Sequence, residues 1–414
     1  MRLLVAPHDL AIGGSQINAI DLAVGAANAG HDVVVYGIPG PLVGYIEDRG
    51  LEFIPARPLR YRPAPSRIAQ LRAIAERRRI DLIHAYEWPP CLEAYYGAHL
   101  VGGVPLVCTI MSMSVSPLVP RTVPLVMGTE ALGEEARRAH LAPVWVLEPQ
   151  IDTDADHPGL DGAAFRRSQG ISDDAPLVVT VSRLALDLKL DALIRVIDAI
   201  DLIADRLPAR LVIVGGGPAA AALQQRAATV NRRRGREAIT FTGPVSQPGT
   251  AYAAADVVVG MGSSALRAMS IGRALVVQGE AGFSEILAPE SLPYFLHEGF
   301  WGHGDAPPTS VRLAEQLESL LSDPERRCEL GAFGRRTVES RFSLPRAAER
   351  QIEIYESVLT AERQARQVDA LTAAMRALAL ELRAHDPRRK RSRLRTEQAL
   401  LASAGRLQPE AANA

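Results

Sequence analysis

The stretch VVVGMGSSALRAMSIG, Val257 to Gly272, reads as a short buried strand, a Gly-Met-Gly turn, two serines and a helix beginning near Ala265. A valine run too short for a helix, then glycines, then apolar residues at helical spacing mark a strand passing into a helix. Glycines let backbone N–H groups approach a ligand closely, and a helix N-terminus favours an anion. The stretch therefore suits a phosphate. Yet it holds neither carboxylate nor histidine, and it sets Arg267 early in the helix.

Outward from this stretch the same alternation recurs. Leu177 to Val181, Leu211 to Val214, Ile239 to Phe241 and Ala274 to Val277 read as strands around it, with a helix from Leu190 to Ile203. An earlier series runs through Leu3 to Ala6, Asp32 to Tyr36, Phe53 to Pro55, Asp81 to His84, Val104 to Ile110, Val123 to Met127 and Val144 to Leu147. Helical spacing at Ile17, Ile20, Val24 and Ala27, and a charged helix from Arg67 to Arg79, fall between those strands. Strands alternating with helices predict parallel sheets covered on both faces. The polar, turn-rich EPQIDTDADHPG, Glu148 to Gly159, separates the two series as a linker. The expectation is two doubly wound domains with a cleft between them, ligands sitting at the carboxyl ends of the strands. From Ser310 the chain turns helical, and the tail after Thr360 carries Leu371, Met375, Leu378 and Leu382 at helical spacing. The tail also holds the basic run RRKRSRLR, Arg388 to Arg395, before a polar end.

A chain of 414 residues is long enough for two cores. A formal net charge of −1 gives no global attraction to nucleic acid or to an anionic membrane. Cys91, Cys108 and Cys328 are odd in number and far apart, so they form neither a disulfide framework nor a metal-ligand spacing, and a reducing cytoplasm fits best. MRLLVAPHDL has too short an apolar run for a signal peptide, and no segment reaches the roughly 18 apolar residues that a bilayer span needs. Peripheral attachment stays open, because the basic tail would be drawn to anionic lipid. No aromatic residues interleave that run for base stacking, so nucleic acid is not expected as a partner.

Several residues are candidates for chemistry. Gly13 and Gly14 follow the first strand and open a helix, where they would bring backbone N–H groups to an anion, or form a tight turn with an N-cap at Ser15. Arg183 and Lys189 follow the strand LVVTV, where a guanidinium and an ammonium would neutralise a diphosphate as a bond to it breaks. Gly215-Gly216-Gly217-Pro218 lacks the third glycine of a dinucleotide fingerprint and reads as a structural turn. His84 ends a strand, as a base or as a satisfied core residue; Glu87 and Trp88 follow in a loop that would line a pocket. Glu285 sits at an expected helix start, to bind a substrate hydroxyl or favour the helix dipole.

Together these marks resemble glycosyltransferase family 4, a family of retaining enzymes of GT-B fold, over residues 1 to 357 and more strongly in the second half. Gly13 and Gly14 match the family's glycine-rich loop. SRLALDLKLDALI, Ser182 to Ile194, resembles S-R-L-x(3–4)-K-G-x-x-x-L-I, which places Arg183 and Lys189 at the diphosphate and Leu190 where glycine is usual. LVIVGGGP and FTGPVS, Phe241 to Ser246, match two further blocks; the second lies by the nucleotide base and includes Val245. RFSLPRAAERQIEIY, Arg341 to Tyr355, resembles the C-terminal signature, whose helix crosses back to the first domain. The hallmark E-G-F-G-L-x-x-x-E-A-M-A-x-G-x-P-V-V lays Gly260, Met261 and Gly262 on the loop, and Ala268, Met269 and Gly272 on the following helix. Its two glutamates, for the donor sugar and the ribose, fall on Val259 and Arg267, and a first-domain histidine falls on Met111. Arginine has no acceptor for ribose hydroxyls, so Arg267 would bind phosphate or pair with an acid.

The resemblance implies an acceptor-side domain over residues 1–150, with a helix near 343–357 packed back on it. It implies a nucleotide-sugar-binding domain over 151–342, leaving 358–414 as a helical basic tail. A sugar would pass from a nucleotide-diphosphate sugar to an unknown acceptor with retention, needing neither cofactor nor metal. Gly260, Met261, Gly262, Ser263 and Ser264 would seat phosphate, and Glu285 would touch the sugar. The lost carboxylates keep a second reading open, that of an inactive homologue acting as a binding or auxiliary partner.

Overall fold

The structure, a computed structural model, describes residues 1–59, 64–245, 247–304, 310–361, 367–384 and 387–405. The Ser246 end of FTGPVS and the polar end from 406 to 414 lie outside the described residues. The chain divides into two compact units, Met1–Gln150 with Leu344–Lys390, and Ile151–Ser343 with Arg391–Ala414.

The first unit holds seven strands: β1 (Arg2–Ala6), β2 (Asp32–Gly37), β3 (Glu52–Pro55), β4 (Leu82–Tyr86), β5 (Leu106–Ile110), β6 (Leu125–Met127) and β7 (Val144–Val146). They pair in parallel in the order β3-β2-β1-β4-β5-β6-β7. The apolar runs are buried on both faces, because a parallel sheet with crossover helices has no wet side. Leu3 and Val5 enter one core with Leu82 and Val107, while Leu4 and Ala6 enter the other with Ile83 and Cys108. The helix Leu344–Thr360 belongs to this unit, where Ala348 meets Gly25 so closely that a Cβ on the glycine would stand 2.5 Å from the alanine's own.

In the second unit β8 (Leu177–Val181), β9 (Arg210–Val214), β10 (Ile239–Gly243), β11 (Val257–Gly260), β12 (Ala274–Gln278) and β13 (Ser284–Ile286) form a sheet in the order β10-β9-β8-β11-β12-β13. Val257 and Val259 face one core and Val258 the other, as the two-residue period of a strand requires. Strand order reverses between β1 and β4 and again between β8 and β11, and at such switch points the loops beyond the carboxyl ends part to leave a crevice.

Two expectations are corrected here. Glu285 does not start a helix: it lies on β13, antiparallel to β12 and opposite Val277. The chain reverses through Ala281 and Gly282, both in the left-handed region (φ 48° and 82°), so the glycine marks a hairpin rather than a helix entry. The helix after β11 begins at Ser263, two residues earlier than the sequence pattern suggests, because Gly262 at φ 58° turns the chain at its N-cap.

Candidate active site

The loop after β8 carries the two cations, and the glycines of GGGP hold it in place. Ser182 donates its backbone N–H to the Val214 carbonyl (3.0 Å) and Leu184 donates to that of Gly216 (2.9 Å), while Ala219 donates back to the Leu184 carbonyl (2.9 Å). A Cβ on Gly215 would stand 1.9 Å from the Ser182 carbonyl oxygen, and one on Gly217 2.5 Å from that of Leu184. Both glycines also lie at φ values, 144° and 154°, that side chains avoid. GGGP is thus a floor beneath Ser182–Leu184, which sharpens its reading as a structural turn. On its other side Gly215 donates to the Gly243 carbonyl (2.9 Å), tying in the loop after β10.

Buried Leu184 and Leu190 anchor the two ends of the cationic loop. Between them Arg183 is exposed and Lys189 half-buried. Leu188 takes a left-handed backbone (φ 62°), strain that a leucine tolerates only where its surroundings hold it. Among the described residues neither cation has a hydrogen-bond or ion-pair partner. Burial, and then the charge of Arg183, pull the Lys189 ammonium from its usual 10.5 down to about 8. Two cations set together without a counter-ion form a site that an anion stabilises.

The loop after β11 is stitched to the end of β8. The Thr180 hydroxyl donates to the Val259 carbonyl (2.7 Å), and the Ser264 hydroxyl donates to that of Val181 (2.9 Å) while accepting from Tyr252 (3.0 Å). Ser264 therefore spends its hydroxyl on the scaffold. Gly260 must lack a side chain, since a Cβ would stand 2.8 Å from Ser264 Oγ. Gly262 donates to the Phe300 carbonyl (2.8 Å), Met261 is buried, and Ser263 is partly exposed at the helix start. Val259 is fully buried and offers no polar atom.

Arg267 forms an ion pair: its Nε lies 2.7 Å from Asp156 Oδ2. Asp156 is only 7% exposed, and burial raises its carboxyl above the usual range even though Arg267 pulls the other way. The Asp156 carbonyl accepts from the Ser270 hydroxyl (2.6 Å) and the Arg335 guanidinium (3.1 Å), which fixes the segment at the head of the unit. Asp156 was hidden in a turn-rich linker, and nothing in the sequence pairs it with Arg267. Glu285 is ion-paired with Arg312 on the helix Val311–Leu321. Val245 is exposed at the loop after β10, two strands from β8. The structure thus joins Arg183, Lys189 and Gly260–Ser264 at one switch point and leaves Val245 and Glu285 on either flank.

In the first unit Gly13 is the N-cap of the helix Gly14–Asn28, with no side-chain cap, so Ser15 does not cap it. The Ser15 hydroxyl donates to Gln16 Oε1 (2.9 Å), and Gln16 Nε2 donates to Asp9 (2.7 Å) and lies 3.1 Å from His8 Nε2. His84 is a core residue. It lies between the Tyr355 and Thr109 hydroxyls, 2.7 Å from each, and burial lowers its pKa to about 3. Glu87 takes a left-handed backbone (φ 68°), and its carboxylate accepts from the Met111 and Ser112 N–H groups (2.8 Å each) and from the Ser112 hydroxyl (2.9 Å). It closes the loop after β5, a role that sequence reasoning did not find. Among the described residues no group of three His, Cys, Asp or Glu side chains is placed to hold a metal ion.

Comparison with known proteins bears on both units. A model of glycosyl transferases group 1 matches residues 175–323 and one of glycosyltransferase family 4 matches residues 12–126, together more than half of the chain. D-inositol 3-phosphate glycosyltransferase of Kribbella flavida is 27% identical over 357 residues, 76% of this chain and 80% of that protein. Alpha-maltose-1-phosphate synthase of Mycolicibacterium smegmatis is 31% identical over 109 residues, a match that spans 26% of this chain and only 27% of the synthase. A glycosyltransferase structure from Rickettsia africae superposes with a TM-score of 0.71 at 13% identity, over 87% of this chain and 99% of that one. HepE of Anabaena, solved with UDP, gives 0.69 at 17% identity over 86% and 100%. With a glycosyltransferase family 4 model on the first unit, a glycosyl transferases group 1 model on the second and neighbours of GT-B fold, the chain is a family 4-like glycosyltransferase.

Proposed function

We propose that the chain transfers a glycosyl group, with retention at the anomeric carbon, from a nucleoside-diphosphate sugar to an acceptor, the donor on the second unit and the acceptor on the first. The observation that carries this reading is the pair of uncompensated cations, Arg183 and Lys189, beside the switch point of the second sheet. Charge builds on the departing diphosphate as its bond to the sugar breaks, and cations placed beside it stabilise that state. Arg183 supplies a planar fork for two phosphate oxygens and Lys189 a point charge. The first turn at Ser263 adds backbone N–H groups, whereas that of Gly262 is already taken by the Phe300 carbonyl. Glu285 and Val245 are the candidates for contact with the sugar and the base.

Donor recognition differs from the hallmark pattern in this proposal. Valine at 259 and a paired arginine at 267 supply no acceptor for sugar hydroxyls, so the diphosphate provides most of the hold. That same feature favours the second reading, a chain that binds donor without turning it over. Calorimetric titration with a panel of nucleoside diphosphates and their sugars tests both, starting from UDP and UDP-glucose, which HepE of Anabaena holds in its crystal structures. Binding that weakens in Arg183→Ala and Lys189→Ala supports the site; no binding by any member of the panel sinks it. Binding with neither transfer nor donor hydrolysis across a set of acceptors selects the second reading.

A further inference from the structure

The helix Gln367–Ala384 lies against the first unit by its alanines. Ala370, Ala373 and Ala377 are buried, the last two beside Leu92 and Leu118. The Tyr96 hydroxyl donates to the Ala370 carbonyl (2.6 Å), and Arg376 donates to the Pro117 carbonyl (2.9 Å). These contacts fix which way the helix faces. Turned outward are Val368, Leu371, Met375, Leu378 and Leu382, exposed by 74, 67, 61, 48 and 69%. Five large apolar side chains in one stripe, on a helix whose small residues already serve the core, form a surface that water alone does not favour.

The residues beyond this helix decide between occupants. Within four residues of its end the run RRKRSRLR begins, carried on the helix Pro387–Ala404, with six of its eight residues basic. On that second helix Leu394 and Leu400 are also exposed. A second copy is disfavoured on two counts. The stripe spans only about two heptads, short of the three or four that a stable coiled coil needs. Pairing would also bring two basic runs together. An anionic lipid surface meets both features: the apolar stripe enters the boundary between headgroups and acyl chains, and the basic run is held by the surface charge. With a formal net charge of −1 for the whole chain, no global charge attraction competes with this local one. No helix among the described residues is long and apolar enough to cross a bilayer, so the helix would lie on the surface. We propose that the apolar stripe Val368–Leu382 is a docking site for an anionic bilayer, to which the basic composition of the sequence that follows adds attraction.

The test is sedimentation of the full chain with vesicles of phosphatidylcholine, alone or mixed equally with phosphatidylglycerol. The expected result is binding to the mixed vesicles at least about tenfold tighter than to phosphatidylcholine, and lost between about 0.1 M and about 1 M salt as screening shortens from about 10 to about 3 Å. The triple variant Leu371→Ser, Met375→Ser, Leu378→Ser changes only exposed positions, so it should keep the wild-type melting curve while binding at least about tenfold more weakly. No binding of the wild type to the mixed vesicles, or equal binding by the folded triple variant, overturns the proposal. So does a lipid-free dimer, seen by sedimentation velocity, that the triple variant dissolves; the stripe would then belong to a second copy.

Discussion

Raising the pH from about 7 to about 9 should weaken nucleoside-diphosphate binding about tenfold, and replacing Lys189 should remove that dependence. Burial and the neighbouring guanidinium hold the free ammonium at about 8. At pH 7 roughly nine in ten molecules then carry the charge, and at pH 9 roughly one in ten. A bound diphosphate reverses the cause of the shift by supplying the missing counter-ion, so the complex keeps its proton well above 9. Above about 8, binding therefore takes up one proton and loses a factor of ten per pH unit, which gives about 1.4 kcal/mol over the interval. The phosphate's own second ionisation, near 6, falls below this window. Calorimetry in buffers of different ionisation enthalpy would count the proton directly. Lys189→Met should bind weakly with a flat profile, and Lys189→Arg should recover affinity with an equally flat one. A slope that persists in Lys189→Met would assign the titration to another group; a flat wild-type profile would remove the lysine from the anion site. In the ligand-free protein the sign is opposite. The unfolded chain holds this proton more tightly, so stability is lowest below about 8 and rises as the pH climbs towards 10.5.

Three other expectations rest on single contacts. His84 refuses a proton until about pH 3 while the unfolded chain accepts one near 6.5, so acid should cost up to about 1.4 kcal/mol of stability per pH unit between those values. Denaturant titrations of His84→Gln against wild type should show that component missing, and an identical slope would refute it. Gly215→Ala drives a Cβ into the Ser182 carbonyl and should lose about 2–3 kcal/mol together with nucleotide affinity, measured by urea unfolding and calorimetry; wild-type values in both would remove GGGP as the floor of the cationic loop. Arg267→Met strands the Asp156 carboxylate and should cost about 2–3 kcal/mol near neutrality, recovered when Asp156→Asn is added; additive losses in this cycle would mean that the pair is not coupled.

The two sheets were legible because their central strands are runs of large aliphatic residues buried on both faces, a pattern that few helices share over so short a length. Val257 to Val259 and Leu177 to Val181 needed no tertiary information. β13 was hidden by its brevity and by the turn at Ala281 and Gly282, since a glycine before Phe-Ser-Glu suits a hairpin and a helix entry equally. The departures at 259 and 267 could be seen, but not their consequences. Arginine at 267 left phosphate and carboxylate both open as partners, and the choice fell to Asp156, held far away in sequence by Ser270 and Arg335. The left-handed backbones of Leu188 and Glu87 could not be read either, because neither residue type favours that conformation and only the surroundings impose it.

Two acids of the second unit are held by cations of their own. Asp156 is paired with Arg267 and Glu285 with Arg312, so both of these carboxylates already have their own guanidinium. A glutamate at position 267 would put a second carboxylate near buried Asp156 in place of its counter-ion, which would favour a proton on one of the two. Arginine at 267 and aspartate at 156 thus act as one unit, the guanidinium serving as counter-ion to the buried carboxylate. The loop that carries Arg183 and Lys189 depends instead on Gly215 and Gly217. The Arg267–Asp156 pair and the cationic loop therefore rest on separate supports, so that a substitution in one should leave the geometry of the other in place.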